Sequence, residues 1–271
     1  MFDLDETLGY FTEFGIFWDS LNKIIKLNNQ DGKNDKSLSQ EDFNDVLDLY
    51  PEFLRPNIIN ILTYLKTKKT SKCCHNMMIY TNNTGPREWV KYITKYFEKK
   101  IDYNLFDQII SAFKVNGKQI EVCRTTHDKT HQDFIRCTKL PENVDICFLD
   151  DTFYPGMENE RIYYINCKPY YYDISFTDLC TRFMDSHVSK KILSESYLFS
   201  FEENMNNYFK LYRYKYIEKV PKEYEIDKIV GKYIIKHLKI FFNEKQQQQN
   251  KTMKKYRNKQ KNKTKHFRKY S

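Results

Sequence analysis

Two aspartates near the amino terminus have the spacing of a paired-carboxylate site. Met1 and Phe2 lead into Asp3-Leu4-Asp5, and residues 1–4 would end a strand. In an extended segment, side chains two positions apart point to the same side, and both carboxylates can face one site. One can attack an electrophile while the other transfers a proton, and a hard cation such as Mg²⁺ would reduce their repulsion. Alone, the pair is more typical of a solvated acidic terminus.

Polar residues also follow two later apolar runs. Thr81 and Asn82 directly follow one run, and Asp150 and Asp151 directly follow another. Each run predicts a buried strand. Ligands of open α/β sheets bind beyond the carboxyl ends of the strands, where these side chains and Asp3 would meet. Thr-Asn is commonplace after a strand and Asp-Asp can cap a helix, so the joint order is the more specific signal.

In chain order, the clusters resemble the four motifs of the haloacid dehalogenase (HAD) superfamily of aspartate-nucleophile phosphatases. The matching segments are Asp3 to Thr7, Ile79 to Asn82, a lysine near a helix start, and Cys147 to Asp151. The first looks most like the branch that includes the phosphatases of the RNA polymerase carboxy-terminal domain and the NLI-interacting-factor-like proteins. The resemblance spans about residues 1–180 and implies an α/β fold, with a Rossmann-like HAD core and a mainly parallel sheet.

The resemblance also implies roles for individual residues. Asp3 would be the nucleophile that forms an aspartyl-phosphate. Asp5 would protonate the leaving oxygen and then activate the hydrolytic water. Thr81 and the backbone amide of Asn82 would bind phosphoryl oxygens, because positioning and charge neutralisation supply most of the catalysis of phosphoryl transfer.

A Mg²⁺ site and a catalytic lysine are implied in the same way. The cation would bind between Asp3, the backbone carbonyl of Asp5, and Asp150, with Asp151 helping directly or through water. Lys129 would offset the charge that builds up, since its placement fits the family pattern best. The competing lysines are Lys114, Lys118 and Lys139.

Strands that alternate with helices predict a mainly parallel α/β sheet. We predict a HAD-like phosphatase domain over residues 1–185, with a small helical insert over 9–50 near the mouth of the site. A helical extension over 186–244 and a disordered basic tail over 245–271 follow.

Hydrophobic periodicity gives the elements in more detail. It predicts helices at 10–27, after Ser39, at 86–100 and at 129–139, and a strand at 162–165. Residues 108–124 are predicted to form a hairpin with its turn at Asn116-Gly117.

The positive charge of the chain is concentrated at its carboxyl end. The formal net charge is +9, yet residues 245–271 hold 11 Lys and Arg and no acidic residue. The rest of the chain is therefore near neutral, and the tail is a polycation that cannot build a core. The tail is predicted to bind nucleic acid without sequence preference, to keep the protein soluble, or to act as a nuclear-import signal.

Cysteine usage and hydropathy suggest a compartment. The seven cysteines are odd in number and lack a Cys-x-x-Cys pattern, which predicts a reducing compartment with neither a disulfide framework nor a zinc site. The acidic amino terminus is not a signal peptide, and no apolar run approaches the ~20 residues of a membrane span. We predict an intracellular protein, cytoplasmic or nuclear, without a membrane partner. A single alanine beside abundant Lys, Asn, Ile and Tyr indicates AT-rich coding, as in a protist or a virus of one.

Together these features predict a Mg²⁺-dependent phosphomonoester hydrolase. A modest cap leaves the site open to large substrates, so a phosphoprotein is the first expectation. A phosphorylated nucleic-acid end is second, because the tail is basic, and a small metabolite is third. The alternative from another class is a non-catalytic protein whose core is a scaffold and whose tail binds nucleic acid or an acidic partner. Specificity would lie in the insert and the extension, so the sequence does not name the substrate.

Overall fold

The computed structural model describes residues 1–29, 37–193 and 198–243. Within them the protein is a mixed α/β structure, about half helical, with a short and mainly parallel sheet, so the predicted class is confirmed. The predicted tail over 245–271 and part of the predicted loop after α1 lie outside the described residues.

The elements alternate along much of the chain. The helices are α1 (Thr12–Asn29), α2 (Gln40–Asp48), α3 (Ile58–Thr70), α4 (Arg87–Ile101), α5 (His131–Thr138), α6 (Phe176–Asp185), α7 (His187–Ile192), α8 (Phe201–Leu211) and α9 (221–243 within the described residues). The strands are β1 (Met78–Tyr80), β2 (Gln108–Ile110), β3 (Lys114–Val115), β4 (Lys118–Gln119), β5 (Ile146–Asp150) and β6 (Ile162–Asn166).

The amino-terminal segment lies at the centre of the sheet. Phe2 bridges in parallel to Ile79 of β1 on one side and to Leu149 of β5 on the other. β2 pairs with β1 and β6 pairs with β5, so the parallel order is β2, β1, residues 1–3, β5 and β6. The chain winds outward from the centre to β2 and then returns to the other side of the centre with β5. This switch point is where open α/β sheets bind ligands.

Helices cover both faces of the sheet, because side chains alternate along each strand. Phe2 and Leu149 point into the larger core, in which Leu238 of α9 is also buried. Phe148 points to the opposite face, where Phe134 of α5 covers it. The sheet is therefore packed between two apolar layers, and polar groups can gather at the ends of its strands.

The predicted hairpin over 108–124 is too long. Only β3 and β4 form a hairpin, and Asn116 and Gly117 at its turn both have left-handed backbone, with φ of 50° and 77°. Residues 108–110 form β2 instead, because their hydrogen-bonding partner is β1, which lies much earlier in the chain. Local turn chemistry identified the hairpin and could not identify the long-range pairing.

The expectation of a chain without disulfides is also wrong at one pair. Cys123 and Cys137 are bonded and close a loop with a sequence separation of 14. The loop contains Lys129, so the bond ties together the two ends of the segment that carries this residue. No spacing motif marks such a pair, because its approach depends on the course of the chain between them.

Among the described helices, none combines the length and the apolar content that crossing a membrane requires.

Candidate functional site

Three carboxylates meet at the carboxyl edge of the sheet. Asp3 ends the central segment of residues 1–3, while Asp150 ends β5 beside it and Asp151 comes next. One oxygen from each carboxylate lies within 4.8 Å of the other two. Asp3 and Asp150 are buried and Asp151 is half-buried. Hard oxygen ligands at this spacing could hold a metal ion.

Lys129 bridges two of these carboxylates. Its Nζ lies 2.5 Å from Oδ1 of Asp3 and 2.7 Å from Oδ2 of Asp150, and its side chain is 1% exposed. Thr130 caps α5 by accepting a hydrogen bond from the amide of Asp133. Lys129 therefore directly precedes the helix cap, rather than opening the helix as predicted.

The other candidate lysines lie elsewhere. Lys114 lies over the ring of Phe113, and Lys118 and Lys139 are exposed. Within the described residues, no ion pair joins any of the three to the carboxylate cluster.

The cluster carries more negative than positive charge, because one ammonium faces three carboxylates. Burial alone would lower the pKa of Lys129, but the charges of Asp3 and Asp150 reverse this and raise the pKa above its ordinary value. Burial raises the pKa of Asp150 to about 7, since Lys129 offsets only part of the desolvation. The donor set and its unbalanced charge both suit a hard divalent cation.

Asp5 lies in the same cleft, but its carboxylate is outside the three-carboxylate cluster. Nδ2 of Asn83 donates a hydrogen bond of 2.8 Å to Oδ2 of Asp5. Burial, followed by the negative charge of Asp3, raises the pKa of Asp5 to about 7, and the hydrogen bond from Asn83 opposes this shift. A carboxyl group with this pKa can release and accept a proton near neutral pH. Asn83 was missed by the sequence reasoning, which stopped at Asn82.

Thr7 orients two members of the cluster. Its hydroxyl donates a hydrogen bond of 2.8 Å to Oδ1 of Asp151 and lies 3.5 Å from Oδ2 of Asp3. The amide of Asp151 in turn donates to the Thr7 hydroxyl over 3.1 Å. Thr7 is fully buried, so these contacts fix the spacing between the central segment and the end of β5.

Thr81 and Asn82 come directly after β1 and line the same cleft as Asp3. The hydroxyl of Thr81 accepts a hydrogen bond of 3.0 Å from the amide of Asn83. The side chain of Asn82 donates over 3.0 Å to the hydroxyl of Tyr154. All the residues predicted for the site therefore lie along one cleft.

Two buried arginines hold the loops of the site and were not predicted as site residues. Nε of Arg55 donates to the carbonyl of Thr7 over 2.5 Å, and its Nη2 donates to the carbonyls of Glu6 and Lys168. Arg124 likewise donates only to backbone carbonyls. Within the described residues neither has an acidic partner. The sequence offers little signal for them, because a buried arginine looks like any other in a chain rich in basic residues.

The cleft is large, with a volume of about 1100 Å³. One wall is α1, which belongs to the predicted insert, and the other is the turn after β1 with the start of α4, including Trp89 and Tyr92. The space exceeds what a phosphoryl group alone would fill. No protein-family model, curated protein or solved structure matches the chain.

Proposed function

We propose that the protein is a Mg²⁺-dependent phosphomonoester hydrolase that uses HAD-type chemistry on a Rossmann-like core. The observation that carries the proposal is the approach of Asp3, Asp150 and Lys129, which are distant in the chain, at the carboxyl edge of the sheet. Carboxylate oxygens are the protein ligands that Mg²⁺ prefers, and Mg²⁺ sites commonly include substrate phosphate.

The first half-reaction transfers the phosphoryl group to the protein. An oxygen of Asp3 attacks phosphorus, and the bond from phosphorus to the leaving oxygen breaks. Asp5, held by Asn83 and protonated near neutral pH because its pKa is raised to about 7, gives its proton to that oxygen. Lys129 offsets the negative charge that gathers around Asp3.

The second half-reaction returns Asp3 to its starting state. Asp5, now ionised, accepts a proton from water as the water oxygen attacks phosphorus. The bond between phosphorus and Asp3 breaks, and inorganic phosphate leaves. Thr81 and the amide of Asn82 hold phosphoryl oxygens through both steps. Mg²⁺ held by Asp3, Asp150 and Asp151, with the carbonyl of Asp5, would supply charge neutralisation at the phosphoryl group.

A phosphoprotein is the substrate class that the cleft supports best. A cleft of about 1100 Å³ with an open mouth admits a peptide segment together with its phosphoryl group. Trp89 and Tyr92 in its wall offer apolar contact to such a segment. This contact does not require a nucleic-acid base or a sugar in the substrate.

Turnover of an aryl phosphate, measured with and without Mg²⁺, tests the proposal. The wild-type chain should release phosphate only with the metal, and mass spectrometry of a quenched reaction should find one phosphoryl group on Asp3. A panel of aryl phosphate, phosphopeptide, 5′-phosphorylated DNA and a small sugar phosphate would then rank the substrate classes. The absence of turnover on every member would contradict the proposal and favour the non-catalytic scaffold.

The composition of the tail favours a second candidate, a phosphatase of nucleic-acid ends. Residues 245–271 hold 11 Lys and Arg and no acid. Each phosphate that they neutralise on duplex DNA would lower the slope of log K against log salt by about 0.9. A chain that ends at Glu244 should lose this affinity and keep its aryl-phosphate turnover. Unchanged affinity after truncation would assign nucleic-acid binding to the body of the protein.

A further inference from the structure

Arg124 connects three loops of the site through one buried guanidinium. Its Nη1 donates to the carbonyl of Thr81 over 3.2 Å and to that of Ser111 over 2.9 Å. Its Nη2 donates to the carbonyl of His127 over 2.8 Å and to that of Asp128 over 3.3 Å. Thr81 follows β1, Ser111 follows β2, and His127 and Asp128 directly precede Lys129.

Two of these hydrogen bonds act on groups with proposed roles at the phosphoryl site. A peptide unit is planar and trans, so a carbonyl and the amide that follows it point in opposite directions. Fixing the carbonyl of Thr81 therefore fixes the direction of the amide of Asn82. Fixing the carbonyl of Asp128 in the same way fixes the peptide from which Lys129 extends. One side chain thus sets the direction of a phosphate-binding amide and the starting point of a buried ammonium.

Burying the guanidinium of Arg124 in these surroundings is unfavourable for folding. Arg124 is 1% exposed, its guanidinium lies 4.8 Å from the centroid of the Tyr80 ring, and its buried Nε has no partner among the described residues. Carbonyl dipoles and an aromatic face replace only part of the hydration that a buried cation loses. An arginine offers donors in a rigid planar fork, whereas a lysine offers them at a single point.

We infer that Arg124 is a positioning residue, which directs the amide of Asn82 and the ammonium of Lys129 toward the carboxyl edge of the sheet. The kinetic consequence of this inference rests on the proposed phosphatase function. The geometric consequence is the placement of the Lys129 ammonium between Asp3 and Asp150, and it does not depend on that function.

The test compares the full chain with its Arg124→Lys variant, which keeps the charge and most of the volume but loses the fork. We expect kcat on an aryl phosphate to fall by about 10- to 100-fold, the size of effect that a displaced catalytic group produces. KM should change by a smaller factor than kcat, because Arg124 itself does not touch the substrate and acts on its binding only through the amide of Asn82. The ¹⁵Nζ resonance of Lys129, assigned by its loss in Lys129→Met, should shift or broaden. Arg136→Lys is the matched control, because Arg136 lies in the same disulfide-closed loop but is half-exposed and pairs with Asp133.

Thermal unfolding of each variant separates positioning from stability. Activity that falls only in proportion to the folded fraction would overturn the inference, as would a folded Arg124→Lys variant with unchanged kcat and an unchanged Lys129 resonance. If the wild-type chain shows no turnover, the proposed function fails, and the Lys129 resonance alone decides whether Arg124 positions this side chain.

Discussion

The two edges of the central sheet are built from the same strands but bring different groups together. At the carboxyl edge, Asp3, Asp150 and Asp151 form a cluster in which the buried ammonium of Lys129 pairs with Asp3 and Asp150. The adjoining cleft has a volume of about 1100 Å³. At the amino edge lies a smaller cavity of about 240 Å³, lined by apolar residues such as Met77 and Leu238 together with polar ones such as His75 and Asn76.

The difference shows that the sheet supplies positions and that the residues directly after each strand supply chemistry. Burying carboxylates costs desolvation energy that their ion pairs only partly repay, so the carboxyl edge is expected to reduce stability. Burying apolar side chains removes about 25 cal/mol of free energy per Å² from the folded state, so the amino edge is expected to increase stability. Substitutions at the two edges should therefore separate activity from stability.

The largest expected effect is on activity at the carboxyl edge. Asp3→Asn keeps the shape of the side chain but removes the charge that attacks phosphorus in the proposed mechanism, so turnover should fall by about 10³-fold or more, equivalent to about 4 kcal/mol in the barrier. The control is Asp145→Asn, which makes the same change just before β5, outside the three-carboxylate cluster, where Asp145 pairs with Arg161. Near-wild-type turnover in Asp3→Asn would refute the role of Asp3 as the nucleophile.

At the same carboxyl edge, Lys129→Met should lower the stability of the protein. It leaves buried carboxylates without their cation, and removing one partner of a buried ion pair costs about 3–5 kcal/mol. Urea unfolding of the metal-free protein should show this loss at pH 8. The loss should shrink at pH 5, because Asp150, whose pKa is raised to about 7, then takes up a proton. Lys139→Met, at an exposed position, is the control, and an equal loss in both variants would contradict the buried role of Lys129.

At the amino edge, Leu238→Ala should lower stability without lowering turnover. Leu238 is 3% exposed and lines the cavity, and large-to-small changes at such buried sites cost about 2–5 kcal/mol. Ile229→Ala on the same helix is the control, since Ile229 is 63% exposed. A drop in kcat of the folded Leu238→Ala protein would mean that the two edges are coupled.

The last prediction concerns the pH dependence of stability and a buried acid that lies at neither edge. Glu13 of α1 accepts a hydrogen bond of 2.8 Å from the amide of Ile174, and burial raises its pKa to about 8 from an ordinary value of 4.5. The folded protein therefore keeps a proton that the unfolded chain releases, so this contribution to stability is present below pH 4.5 and is lost as pH rises through about 8.

Glu13→Gln should remove this pH dependence. The slope that it removes from the unfolding free energy is at most about 1.4 kcal/mol per pH unit. Denaturant unfolding from pH 5 to pH 9 measures it, with the exposed Glu158→Gln as the control. Parallel pH profiles for wild type and Glu13→Gln would show that Glu13 is ionised in the folded protein.

Much of the local structure could be read from the sequence. The sequence predicts a helix that begins after Ser39, and Ser39 caps α2 together with Asp42 in a capping box. The turn at Asn116 and Gly117 was predicted because both residues tolerate left-handed backbone. Such features depend on residues a few positions apart, so their physical causes are contained in a short window of sequence.

The positions of Asp3, Thr81, Asp150 and Asp151 after strands could also be read from the sequence, because apolar runs that end in polar residues indicate the carboxyl ends of buried strands. Placement at one edge followed from the expectation of a parallel sheet. The sequence by itself thus determined the fold class, the residue types of the cluster and their order along the chain.

Only the tertiary structure decided which distant groups touch. It selected Lys129 among several lysines, brought Arg55 and Arg124 under the site loops, and joined Cys123 to Cys137. The physical reason is that these contacts depend on how the chain returns to the sheet. Burial of charge and the geometry of hydrogen bonds between distant segments are properties of the packed molecule, and no local pattern of residues encodes them.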